Sequence, residues 1–214
     1  MDDVNLQLVR EFFELNVFRV LTNWQQDPRQ RRAGENRGQL FVENARPVVR
    51  RELPFVLGAV DISGIERAVV EVRAWHADRF YPSVIESSPV LYQFVAEDAL
   101  ALARDVFSGQ PFAAILVLSE LPTTLEQRTR SMELLKAAGV QHVVEFPVLL
   151  RDMLNKVSVN ASYTASQTLQ TLRLLKRYKF IRNQQMEFPF STEIPDVGPG
   201  PRVEVAEVSE PDDE

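Results

Sequence analysis

Apolar positions in the first third of the chain follow two periods, and the change between them predicts a helix followed by strands. Leu8, Phe12 and Leu15 recur at helical spacing within residues 4–16, with Asp2 or Asp3 placed to cap, which predicts an amphipathic first helix. Residues 17–25 have strand character. Residues 26–38, QDPRQRRAGENRG, carry no apolar period and predict a loop or hairpin arm. Leu40, Phe41 and Val42 predict a strand at 39–45 that Pro47 stops. LPFVLGAV at 53–60 predicts a short strand or a buried loop, and Gly64 offers a turn into an alternating strand at 66–75.

Beyond residue 80 the pattern alternates helix and strand. Pro82 and Ser83 open a short helix, and residues 96–107 form a longer helical segment closed by Gly109 and Pro111. FAAILVL at 112–118 is a continuous apolar run that suits a strand buried on both faces. Thr123 or Thr124 caps a helix that Gly139 ends; a strand at 140–146 follows, and Pro147 starts a helix through Lys156. Thr164 or Ser166 begins a last helix through Tyr178. Strands separated by helices of this length require crossovers, so the expected class is α/β, a mixed sheet flanked by helices. The expected organisation is an α/β domain at 1–160, a C-terminal helical extension at 161–187 and a tail at 188–214.

Composition narrows the chemistry. The 214 residues, 45% of them hydrophobic, suffice for one sizeable core. With no cysteine, disulfides, thiolate zinc sites and cysteine nucleophiles are excluded, and a reducing, cytoplasmic location is expected. The acidic start lacks a basic n-region, and no apolar run approaches the roughly 20 residues of a membrane span, so neither a signal peptide nor a span is expected. The net charge of −6 is concentrated at one end: residues 191–214 hold eight acids against Arg202, a balance of −7 that leaves the body at +1. This Pro- and Gly-rich acidic tail is expected to be disordered and solvating.

The segment ERAVVEVRAWH at 66–76 carries the most chemistry. Alternation sends Glu71 and Arg73 from one face of the strand, expected to be exposed, while Val70, Val72 and Ala74 face the core. A first helix, a strand meander ending in this acidic-x-basic strand, and then crossover helices resemble the PD-(D/E)XK restriction-endonuclease-like superfamily. Within it, ERAVVEVRAWHADRFYPSVIESSP at 66–89 is similar to a bacterial branch whose strand reads acidic-Val-Lys, followed by Gly-Trp-His and a Phe-x-Pro-Ser segment. The likeness spans roughly residues 4–178 and is sharpest at 66–89.

The resemblance implies an aspartate on the second strand and a glutamate on the third holding Mg²⁺, with a lysine two residues on orienting the attacking water. Glu71 matches the glutamate. Arg73 stands in the place of the lysine and keeps its proton at neutral pH, although it can contact a phosphate. Gln39 falls near the place of the aspartate, where a neutral amide is a poor metal ligand. Glu43, on the same strand face, is a candidate displaced metal ligand. Asp61 is another, disfavoured because a tight turn at Ser63-Gly64 leaves it roughly 16 Å from Glu71 along the strand. Glu11 and Glu14 on the first helix either point at the site, as helix carboxylates do in some relatives, or are solvated. His76 is a candidate cleft residue or a structural histidine; His142 has no stronger case. The expected cofactor is none or Mg²⁺.

No Ser-His-Asp arrangement, Walker loop, dinucleotide glycine fingerprint or His-rich metal spacing occurs. Arg29, Arg31, Arg32, Arg37, Arg46, Arg50 and Arg51 stand against Glu35 and Glu43 alone, a local excess suited to phosphate contact. Arg173, Lys176, Arg177, Lys179 and Arg182 form a second group. Either group also reads as a solvated face or as a contact with the acidic tail. Leu169, Leu172 and Leu175, with Tyr178 as a candidate fourth member, make a helical stripe that is expected to be buried on this core or against a partner protein or second copy. The expected function is that of a degenerate nuclease-fold protein that binds nucleic acid without cleaving it. The alternatives are a structural or interaction subunit of an assembly, and an active Mg²⁺-dependent nuclease cleaving phosphodiesters.

Overall fold

The strand periods build one five-stranded sheet with an apolar layer on each side. The computed structural model describes residues 4–22, 39–48 and 52–181. Helix α1 (Val4–Leu15) leads into β1 (Phe18–Thr22), β2 (Gln39–Asn44) and β3 (Arg67–Arg73). Helices α2 (Pro82–Glu86) and α3 (Glu97–Val106) precede β4 (Ala113–Leu118); α4 (Leu125–Ala137) precedes β5 (His142–Glu145), and α5 (Phe146–Lys156) and α6 (Gln167–Arg177) follow. The strand order is β1-β2-β3-β4-β5. The first three strands form an antiparallel meander, whereas β3, β4 and β5 run parallel. The class is therefore α/β with a mixed sheet flanked by helices, as the alternation of elements predicts.

Strand alternation sorts the side chains between two cores. Leu40, Val42, Ala68, Val70, Val72 and Val117 pack against Val9, Phe12 and Phe13 of α1, Leu149 and Met153 of α5 and Leu169 of α6. Phe41, Val69, Leu116 and Leu118 point the other way, toward Ile85 of α2, Ala103 of α3, Leu135 of α4 and the Phe80 and Phe94 rings. Strand β4, paired on both sides, is buried on both faces from Ala114 to Leu118, which explains its unbroken apolar run.

Local signals fix most element ends. Thr124 and Ser166 stand at the N-caps of α4 and α6, and Pro147 lies in the first turn of α5. Gly139 follows α4 at φ 98, a conformation that disfavours any residue with a Cβ. Residues 53–60 are a loop whose one ladder contact is a parallel bridge from Val56 to Val143.

Helix α6 lies on the core of α1. Leu169 is buried there and Leu172 packs against it. The Lys176 ammonium donates to the carbonyls of Leu154 and Val157 at 2.5 and 2.6 Å. Among the described residues no helix is long and apolar enough to cross a membrane. The arm expected at 26–38 and the tail expected at 188–214 lie outside the described residues.

Candidate functional site

The β2–β3 register brings Gln39 directly opposite Glu71. Both side chains, with Arg73, leave the sheet on the face of Phe41 and Val69. That face was expected to be exposed; instead it carries the second core, and Glu71 is 1% exposed. Nη2 of Arg73 lies 2.6 Å from Oε1 of Glu71, with the arginine side chain itself mostly buried. The contact is a close charge pairing, because neither Glu71 oxygen accepts an aligned hydrogen bond. Burial pushes the Glu71 carboxyl up to about 7, and the charge of Arg73 offsets only part of that rise.

The other candidate ligands do not converge on Glu71. Glu43 lies opposite Arg67, its Oε1 3.2 Å from that guanidinium and its Oε2 3.7 Å from Arg19. It lies four positions from Gln39 along β2, roughly 13 Å at strand spacing, so it does not join Glu71 as a second ligand. Asp61 precedes the 3₁₀ turn Ile62–Gly64 and accepts the Gly58 N–H at 2.9 Å, closing a loop before β3. Glu11 and Glu14 sit on α1, which covers the opposite face of the sheet. Glu11 is 2% exposed and accepts from Gln7 at 2.6 Å and from the Ser166 hydroxyl. Glu14 pairs with Arg10 on the helix surface at 2.9 Å.

A Mg²⁺ ion, implied by the resemblance, therefore does not fit these residues. One carboxylate is held by an arginine and faces an amide, whereas Mg²⁺ takes its octahedral shell from oxygen ligands. Among the described residues, no group of three or more His, Asp or Glu side chains is placed to hold a metal ion.

A separate cleft of about 410 Å³ opens where β3, β4 and β5 end, lined by His76, Asp78, Arg79, Tyr81, Ser119, Glu120 and Phe146. The carboxyl ends of parallel strands are the usual ligand side of such sheets, and the volume suits a small ligand. Arg79 pairs with Glu120 at 3.0 Å and donates to Thr123 at 3.1 Å, while the Ser119 hydroxyl donates to the Asp78 carbonyl at 2.9 Å. Glu145, next in the chain to the lining residue Phe146, accepts the Leu121 N–H at 2.9 Å and takes both terminal nitrogens of Arg128 at 3.2 and 2.7 Å. His76 lines this cleft, with Nε2 3.0 Å from Oδ1 of Asn5 and its ring edge-on to Phe146 at 4.7 Å. Sequence reading named only His76 here; the signal for the others was their position just after each parallel strand. His142 contacts the Pro54 carbonyl at 2.9 Å, away from these residues on the chain.

Of the candidate nucleic-acid contacts, Arg29, Arg31, Arg32, Arg37, Arg50 and Arg51 lie outside the described residues, and Arg46 is exposed. The leucine stripe is not an open interaction face: Leu169 and Leu172 are used on the protein's own core, and Leu175 is half-buried. Comparison with protein families, curated proteins and solved structures finds no match.

Proposed function

We propose that this protein binds nucleic acid without cutting it, on a restriction-endonuclease-like framework in which an internal ion pair has replaced the catalytic metal. The order of elements supports the framework: a first helix, a three-stranded antiparallel meander, then a crossover to a strand parallel to the third. The observation that carries the reading is the 2.6 Å pairing of Arg73 with the buried Glu71, opposite Gln39. The resemblance puts a divalent ion at this carboxylate. The guanidinium now supplies the compensating charge, and it neither polarises a phosphoryl oxygen as a metal does nor takes a proton from water.

Affinity comes from the arginines at 29–51. The segment carrying the first four leaves the sheet at Thr22 of β1 and returns at Gln39 of β2, the residue that faces Glu71. Fluorescence anisotropy of labelled DNA and RNA oligomers across a salt series tests this. Binding is expected to weaken steeply with salt, each phosphate-contacting arginine contributing about 0.9 to the logarithmic slope on duplex. Neutralising Arg29, Arg31, Arg32 and Arg37 is expected to flatten it, and added Mg²⁺ is expected to yield no cleavage product. Absence of binding at low salt, or Mg²⁺-dependent cleavage lost in Glu71→Ala, overturns the proposal.

A further inference from the structure

The end of α6 alternates basic and aromatic side chains. Arg177, Tyr178, Lys179 and Phe180 are consecutive and all exposed, Tyr178 by 67% and Phe180 by 79%. The backbone beneath them is closed by hydrogen bonds: the Phe180 N–H donates to the Leu175 carbonyl at 2.9 Å and the Lys179 N–H to that of Lys176 at 3.0 Å. Lys179 takes the left-handed conformation, φ 63, that such a helix closure needs and that glycine usually supplies. The residue that follows in this motif commonly lays its side chain back on the helix. Phe180 leaves its ring in solvent.

The stretch of chain that carries the two rings has charge of one sign. Residues 153–186 contain six Lys or Arg and no Asp or Glu. Arg173 and Lys176 are committed to backbone carbonyls of the preceding loop and helix. Arg177 and Lys179 form no ion pair among the described residues. Two open ring faces interleaved with two uncommitted cations match a single-stranded nucleic acid, whose unpaired bases stack on aromatics while its phosphates meet the cations. A duplex hides its base faces. A lipid surface calls for a continuous apolar helix face, and α6 has turned Leu169 and Leu172 inward.

We propose that Tyr178 and Phe180, interleaved with Arg177 and Lys179, form a stacking platform for a single-stranded nucleic-acid segment. This rests on the nucleic-acid reading above, and it adds the strand type and a surface apart from the arginines at 29–51. The test titrates labelled oligothymidylate, an abasic oligomer of equal length and a duplex into the full chain. The proteins compared are wild type, Tyr178→Ala/Phe180→Ala, Tyr178→Trp, and the variant neutralised at Arg29, Arg31, Arg32 and Arg37.

Wild type is expected to prefer the base-bearing strand over the abasic one by about 5- to 150-fold per stacked base. The double alanine variant is expected to lose that preference while keeping its far-UV circular dichroism and its duplex affinity. Tyr178→Trp is expected to keep the preference and to add fluorescence that the oligomer quenches. Equal affinity for abasic and base-bearing strands, or a preference that survives the double alanine change, overturns the platform. Binding to phosphatidylcholine/phosphatidylserine vesicles that depends on the two rings, with no stacking preference, overturns it in favour of a membrane surface. Arginine-dependent duplex binding without ring dependence removes this inference alone. Failure of every oligomer to bind removes the nucleic-acid reading with it.

Discussion

Gln39 of β2 sits directly across the antiparallel ladder from Glu71 of β3, a neutral amide facing a carboxylate that is 1% exposed. The amide adds no charge, so compensation falls to Arg73 two residues along the same strand, 2.6 Å away. A buried pair of this kind is costly to desolvate and costlier to break from one side. Its presence where the resemblance puts a metal is what turns the reading from catalysis to binding.

The first prediction concerns pH. The Glu71 carboxyl is raised from 4.5 to about 7 in the folded protein, chiefly by burial. Between those values the folded state holds a proton that the unfolded chain has released. The associated stability is fully present below the unfolded pKa and is lost as pH rises through about 7. The amount is on the order of 3 kcal/mol. Urea denaturation at pH 5 and pH 8 is expected to show this loss in wild type and its removal in Glu71→Gln; identical pH dependence in the two proteins rules out Glu71 as the source.

A second prediction restores what the resemblance implies. Gln39→Asp with Arg73→Lys places two carboxylates opposite each other, about 4.5–5.5 Å apart at the Cα atoms. Calorimetric titration of Mn²⁺ or Mg²⁺ is expected to show binding in the double variant and none in wild type. Metal binding by wild type that disappears in Glu71→Ala contradicts the internal ion pair as the metal's replacement.

Ser166 ties α6 to α1 from both sides of its hydroxyl. The oxygen accepts the Leu169 N–H at 3.0 Å, capping the helix, and the hydroxyl donates to the buried Glu11. Ser166→Ala removes the cap, worth about 1 kcal/mol, and leaves Oε1 of the buried Glu11 with Gln7 as its remaining donor, which costs about 1–2 kcal/mol more. Chemical denaturation is expected to show a combined loss of about 2–3 kcal/mol. A change below about 0.5 kcal/mol shows that the contact carries no stability.

Leu172 separates the assembly reading from the packing that is seen. It packs against the core that α1, α5 and α6 share. Leu172→Glu is therefore expected to lower the melting temperature and loosen α6 in hydrogen exchange, without a discrete change of oligomer size in sedimentation. A stable, smaller species would instead place the stripe at a subunit interface.

Glu145 and Arg128 offer a fifth test near the cleft. Glu145→Ala strands both the Arg128 guanidinium and the Leu121 N–H, and a loss of about 2–3 kcal/mol is expected. Arg128→Ala, which leaves the Leu121 bond in place, is expected to cost less. Equal or reversed losses in equilibrium unfolding contradict that division.

Much of the secondary structure is legible along the chain because its causes are local. Leu8, Phe12 and Leu15 mark α1 by spacing, Ser166 marks the start of α6 by capping chemistry, and the run at 112–118 marks β4 by its lack of polar residues. That Glu71 and Arg73 share a face follows from a period of two and needs no tertiary knowledge. The environment of that face is a different matter. Residues 80–135 supply the helices and rings that cover it, and no pattern within 66–76 records how distant segments pack.

The sequence by itself determined the elements, the α/β alternation and the pairing of an acid with a base on one strand face. Tertiary structure alone decided that the face is buried, that Glu43 belongs to Arg67, that Glu11 belongs to Ser166, and that three strand ends open one cleft. Periodicity and capping arise from neighbours within about four residues. Desolvation and charge partnership depend on which remote surfaces close over a group, and that is fixed only when the sheet and its two helical layers come together.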